Sequence, residues 1–209
     1  MSIYYQHFKK LICHNDIIDI LSPILKLEKE VSESFAVIKQ LKKIVLKYKN
    51  KYDIWDLCAG NALTSTISAF MLPINKAYAI DIRPRDREWN RINKFEYLIK
   101  DIHDITNKTF KKESIIISIH PCKELAEYIC NIYNNSYKVK YLILMPCCIG
   151  KFRRKNRHLV KNNYYEWCIY LNDIVNGNMI IDKKCISPKN AVITASKDRY
   201  KEWEKPIIP

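Results

Sequence analysis

The sequence predicts an α/β fold in which a mostly parallel, seven-stranded sheet carries helices on both faces. Three observations lead there. Short apolar runs alternate with helical patterns over most of the chain. Those runs are nearly continuous in apolar residues, the mark of strands buried on both faces. Finally, 209 residues at 48% hydrophobic composition suffice for one compact core and little else.

The strands are expected at 52–57, 77–82, 96–99, 114–119, 139–145, 178–181 and 191–195, with helices at 62–70, 122–133 and 164–175 between them. Ahead of the first strand, 16–25 and 32–48 read as helices. In the second of these Phe35, Ile38, Leu41, Val45 and Tyr48 recur at three- and four-residue intervals, while Lys39, Lys42, Lys43 and Lys47 fill much of the other face. Residues 1–50 are therefore expected to be a helical extension packed on the core, and 51–209 the α/β domain proper.

Composition narrows the function classes. No stretch reaches the roughly 20 apolar residues of a membrane span, and residues 1–10 are too polar for a secretory signal, so a cytoplasmic protein away from membranes is expected. Eight cysteines without an export signal then read as free thiols rather than a disulfide scaffold. Cys13, Cys130, Cys168 and Cys185 carry no local motif and are expected to be packing side chains. Thirty-six Lys and Arg against 22 Asp and Glu leave a net charge of +14, which favours phosphate-rich partners, RNA foremost. An Asn, Lys and Ile bias permits a plainly basic, soluble surface instead. No segment signals an obligate protein partner.

An open parallel sheet binds ligands beyond the carboxyl ends of its strands, and two constellations fall there. The first begins with Asp56, Cys58, Ala59, Gly60, Asn61 and Ala62 after the first strand. One of only three glycines in the chain stands in this turn, among small residues that let the backbone approach a ligand. Asp81 and Ile82 close the second strand, where a carboxylate can accept hydrogen bonds from ribose hydroxyls. Asp101 and Ile102 follow the third, where an acid can receive an adenine amino group. There is no complete GxGxxG and no Walker lysine, so NAD and ATP fit poorly. Each acid alone is an ordinary cap or surface residue; three at successive strand ends form a pattern.

The second constellation is His120 and Cys122 after the fourth strand, with Cys147 and Cys148 after the fifth. Such thiols can serve as nucleophiles or contact substrate, with His120 as a proton carrier. They can equally be structural or redox-sensitive. Zinc is a further reading, but no CxxC is present and adjacent cysteines make an awkward chelate, so no metal is assigned. The next segment bears Lys151, Phe152, Arg153, Arg154, Lys155 and Arg157, a basic run with one aromatic that suits phosphates and an exposed base. A solvated loop is the plain alternative. A second basic interval, 83–91, admits the same two readings.

The run from Asp56 to Gly60, the Asp81 segment and Asp101 resemble the class I S-adenosylmethionine-dependent methyltransferases, which have a Rossmann-like fold; the resemblance spans roughly 52–197. It implies S-adenosyl-L-methionine as cofactor, held by Asp56, Cys58, Ala59, Gly60, Asn61, Asp81, Ile82, Asp101 and Ile102. Cys58 and Ala62 stand where that family often has glycine. The histidine–cysteine and paired-cysteine elements are similar to the tRNA 2′-O-methylating and glutathione-transferase C-terminal-domain-containing groups, although Lys123 replaces a glycine. A weaker similarity to RNA cytosine-C5 methyltransferases would put Cys147 nearer the nucleophile position and Cys122 nearer the assisting one. The resemblance implies methyl transfer to RNA, tRNA or another structured RNA. A protein or small-molecule methyltransferase and a noncatalytic RNA-binding module remain as alternatives.

Overall fold

A computed structural model of the chain describes residues 1–148 and 164–198. Its strands are β1 (Asp53–Leu57), β2 (Lys76–Asp81), β3 (Phe95–Ile99), β4 (Ser114–Ile119), β5 (Val139–Met145), β6 (Asn178–Ile181) and β7 (Ala191–Ser196). Its helices are α1 (Ile3–Lys9), α2 (His14–Leu21), α3 (Leu27–Lys47), α4 (Leu63–Met71), α5 (Leu125–Asn135) and α6 (Tyr164–Ile174). Among the described residues the strands form one sheet in the order β3-β2-β1-β4-β5-β7-β6. β1 to β5 are parallel, and β7 lies antiparallel between β5 and β6. This is the Rossmann-like class I methyltransferase architecture that the sequence predicted.

Strand periodicity divides the core in two. Ile54, Ile115, Ile117, Ile143 and Met145 face one side with α1 to α4; Trp55, Leu57, Ile116, Leu142 and Leu144 face the other with α5 and α6. All five residues of β1 are buried, as a central parallel strand requires. Cys130, Cys168 and Cys185 are buried and Cys13 half-buried, the packing positions expected of them.

The ends of several helices differ from expectation for local reasons. α2 stops at Leu21, because Ser22 precedes Pro23 and is extended rather than helical. α3 starts at Leu27, five residues early: its first turn is charged and shows no apolar period, but Glu28 and Glu30 suit the positive end of the helix. α5 starts at Leu125, after left-handed backbone at His120 and Lys123, so Cys122 lies in the turn and not on the helix. α1 was not anticipated. Its seven residues bury only Tyr4 and Phe8, and the Ser2 hydroxyl caps it by accepting from the Tyr5 amide at 3.1 Å.

Candidate active site

The carboxyl end of β1 turns through Cys58 (φ 61°), Gly60 (φ 58°) and Ala62 (φ 56°), all left-handed. Two of these three are not glycine, so the chain keeps the turn geometry where the family it resembles often places glycine, at a cost of about 1–2 kcal/mol per residue. Backbone bonds fix the loop: the Ala59 amide donates to the Ile80 carbonyl at 2.9 Å, and the Ala62 amide to the Ala59 carbonyl at 2.8 Å. From the neighbouring strand Asp81 accepts from the Gly60 amide at 2.8 Å.

Asp56 and Asp81 sit on adjacent strands in different states. Asp56 is buried beneath the turn, where it accepts from the Ser65 hydroxyl at 2.8 Å. Loss of water pushes its carboxyl up to about 7 against the lowering effect of that bond. It lines neither cleft described below. Burial also pushes Asp81 up, but bonds from Arg83 and the Gly60 amide outweigh it and hold the carboxyl below its usual range. Arg83 donates to Asp81 from its amide and from Nε, both at 3.0 Å. Its side chain remains 65% exposed, so it can swing away from the carboxylate.

Beyond these strand ends lies a cleft of about 360 Å³. Cys58, Asp81, Ile82, Asp101, Ile102, His120 and Cys122, all singled out in the sequence, line it together with Arg83, Lys100, His103 and Leu125. Asp101 accepts from the His103 amide at 2.9 Å and caps a 3-10 turn over Ile102–Asp104. Burial pushes the Cys58 thiol up to about 12, with Asp81 and Asp56 adding to the effect. A second cleft of about 300 Å³ meets the first at Cys58, Arg83 and His120; Ala59, Gly60 and Asn61 line it against Lys29, Glu30 and Glu33 of α3.

That wall of α3 escaped the sequence reading. Glu30 receives the Asn61 side-chain amide at 3.0 and 3.1 Å, and the Ser34 and Thr64 hydroxyls meet at 2.9 Å. Glu33 is buried, 2.6 Å from His120 Nε2 and 2.7 Å from Lys29 Nζ. Burial raises its carboxyl, yet the contacts with His120 and Lys29 prevail and hold it below the usual range. The available signal was a glutamate on the buried side of an amphipathic helix.

The parallel register pairs Ile119 with Met145, so the turns after β4 and β5 run side by side. The His120 amide donates to the Met145 carbonyl at 2.7 Å. His120 Nε2 is tied to Glu33, and Nδ1 is buried without a hydrogen-bond partner among the described residues. The contact with Glu33 ties the β4 turn to α3, while His120 lines both clefts. Cys147 Sγ lies 3.9 Å from Cys122 Sγ and 3.6 Å from Cys148 Sγ, and the Lys123 amide donates to Cys148 Sγ at 3.4 Å. Burial, then the neighbouring sulfurs, push the Cys147 thiol up, the opposite of what a resting nucleophilic thiolate requires.

Of the two basic segments, 83–91 is a packed, salt-linked loop. Arg85 donates to the Gly60 carbonyl, Arg87 to those of Ser22 and Pro23, and Arg91 to Asp19 and Glu88. Trp89 stacks on Tyr97 with centroids 4.9 Å apart. Lys151, Phe152, Arg153, Arg154, Lys155 and Arg157 lie outside the described residues. Among the described residues no helix is long and apolar enough to cross a membrane.

A family model described as a methyltransferase domain matches residues 26–155, which include α3 and every strand from β1 to β5. Among solved structures, the 23S rRNA methyltransferase ErmE is similar at a TM-score of 0.50 and 9% identity, over 76% of this chain and 68% of that one. Magnesium protoporphyrin IX methyltransferase (ChlM) from Synechocystis PCC 6803, with bound SAH, is similar at 0.50 and 14% identity, over 87% and 91%. At these identities the likeness concerns the fold alone. No curated protein sequence matches.

Proposed function

We propose, from the premise that this chain belongs to the methyltransferase-domain family and is an S-adenosylmethionine-dependent methyltransferase, that its methyl acceptor is RNA, as a tRNA or another structured RNA. The observation that carries this reading is the adjacency of Cys147 and Cys148, beside the cleft-lining Cys122, to the basic run that follows them in sequence. Lys151, Arg153, Arg154, Lys155 and Arg157 supply cations for phosphates, and Phe152 a ring for an unpaired base. The net charge of +14 acts in the same direction. Fold likeness does not choose the acceptor: of the two similar structures named above, one is an rRNA methyltransferase and the other a magnesium protoporphyrin IX methyltransferase.

The residues fit the cofactor. The cleft beside β1 to β3 joins apolar Ile82 and Ile102 to two acids, which suits an adenosine. In this reading Asp81 holds the ribose hydroxyls in place of the Arg83 guanidinium, and Asp101 the adenine amino group. Cys58, Ala59, Gly60 and Asn61 bring the loop backbone close, and Asp56 supports it from below. The bound cofactor supplies an electrophilic sulfonium methyl. The protein chiefly orients the acceptor atom in line with it and excludes water, a proximity effect. In this reading His120 and Cys122 face the acceptor, with Cys147 and Cys148 packed beside Cys122.

The test is transfer of labelled methyl from S-adenosylmethionine to fractionated cellular RNA. We expect label in a structured RNA, and a drop of at least about tenfold when Lys151, Arg153, Arg154 and Arg157 are replaced together by alanine, with cofactor affinity unchanged. Label found only in protein or small molecules would overturn the RNA reading. RNA binding without any methyl transfer would favour the noncatalytic module.

A further inference from the structure

All eight cysteines lie among the described residues, and three of them, far apart or awkwardly adjacent in sequence, come together: the Sγ atoms of Cys122, Cys147 and Cys148 are all within 4.8 Å of one another. We propose that these three sulfurs form a binding site for a thiophilic divalent cation of the zinc kind, with a fourth coordination position left open. The site is independent of the RNA reading.

Geometry carries the assignment. A zinc ion with sulfur ligands at about 2.3 Å in a tetrahedron sets its sulfurs about 3.8 Å apart. The two close separations here, 3.6 and 3.9 Å, bracket that edge. The adjacent cysteines looked like a poor chelate because neighbouring side chains usually diverge. Here β5 has ended at Met145, Cys147 and Cys148 lie in the turn beyond it, and both sulfurs reach the Cys122 side.

The surroundings of Cys148 suit a thiolate ligand. The Lys123 amide, on left-handed backbone, points at Cys148 Sγ, the kind of amide-to-sulfur bond that stabilises a metal-bound thiolate. Cys122 and Cys148 are exposed, so a cation has a path of entry without unfolding. Three protein ligands leave the fourth place to a solvent or substrate oxygen, the pattern of an open site rather than a sealed structural one. Because Cys122 also lines the cleft, that open position borders the place where the acceptor would sit. On binding, each thiol that ligates gives up its proton to solvent and no electron is transferred, so the ion enters with release of up to one proton per sulfur.

The experiment is metal analysis of the full chain purified without chelator, followed by exchange with Co²⁺. We expect about one zinc per chain. The cobalt form should show a thiolate-to-cobalt charge-transfer band and the intense visible bands of a tetrahedral site. Cys122→Ser with Cys148→Ser should weaken Zn²⁺ binding by roughly 100-fold or more, whereas Cys13→Ser leaves it unchanged. Calorimetry with S-adenosylmethionine on the same samples reports whether each variant is folded and separates failure of this site from failure of the cofactor cleft. A chain free of zinc and spectroscopically silent with Co²⁺ while it still binds cofactor would overturn the proposal. So would a Cys122–Cys147 disulfide in the freshly isolated protein.

Discussion

The strand ends of β1 to β3 and that of β4 open on the same cleft, with the turn after β5 packed beside the last, yet the two groups are built differently. The first three carry acids, small residues and a left-handed turn, tied together by bonds to backbone amides of the turns themselves. The last two carry sulfur and imidazole, whose meaning arises only where the two turns meet each other and α3. A site assembled from backbone positions can be read along a chain; one assembled from side chains converging out of separate segments has to be seen folded.

The largest effect separating the two ends belongs to Asp56. Its folded carboxyl titrates near 7 and its unfolded one near 3.9, so the native state holds the extra proton between those values. Its contribution to stability is complete below about pH 3.9 and is lost as pH rises through about 7, a fall of up to roughly 4 kcal/mol. Urea midpoints over this range should show that decline in wild type and a flatter profile in Asp56→Asn. Identical profiles would mean Asp56 is ionised in the native protein.

Next comes Asp81. Asp81→Ala should lower cofactor affinity by about 100-fold, or nearly 3 kcal/mol, and Asp81→Asn by less, because the amide oxygen can still accept from Gly60. Cys148→Ser should leave affinity within about threefold. Calorimetry distinguishes the two ends, and equal losses in Asp81→Ala and Cys148→Ser would make them one unit.

Glu33→Gln probes the opposite end, where the wild-type carboxyl is shifted in the opposite direction to Asp56. The folded Glu33 carboxyl lies below its usual range, so its contribution is present above the ordinary carboxylate value and disappears as pH falls through the folded one. Near neutral pH the variant should lose about 1–3 kcal/mol, read by chemical denaturation, and the difference from wild type should shrink on acidification. The smallest effects lie in the β1 turn. Gly60→Ala should cost about 1–2 kcal/mol at φ 58°, whereas Ala62→Gly, which relieves the same strain, should change stability by less than about 1 kcal/mol. A large loss in Ala62→Gly would show that the buried methyl outweighs the backbone.

The strands were legible because parallel strands buried on both faces leave apolar runs such as Ser114–Ile119 that turn residues punctuate. Asp56, Asp81 and Asp101 were legible as a set because they fall at or just beyond the ends of those runs. α1 was too short to show a period, and the first turn of α3 is charged, so Lys29 and Glu30 fell outside the expected helix. Glu33 lay inside an expected helix, but nothing local says that His120, 87 positions away, is its partner. The grouping of Cys122, Cys147 and Cys148 was legible from the strand ends they follow, but their close spacing was not: Cys122 was expected on the helix until the left-handed residues around it held it in a turn.

The clasp of α3 on the turns after β1 and β4 sets a limit on how this protein can be divided. Glu30 steadies Asn61, Ser34 meets Thr64 and Glu33 steadies His120. A fragment beginning at residue 51 would keep all seven strands. It would also leave the imidazole and the loop amide without their acceptors and lay bare the apolar sheet face that α3 covers. The smallest working piece of this enzyme therefore begins ahead of its sheet.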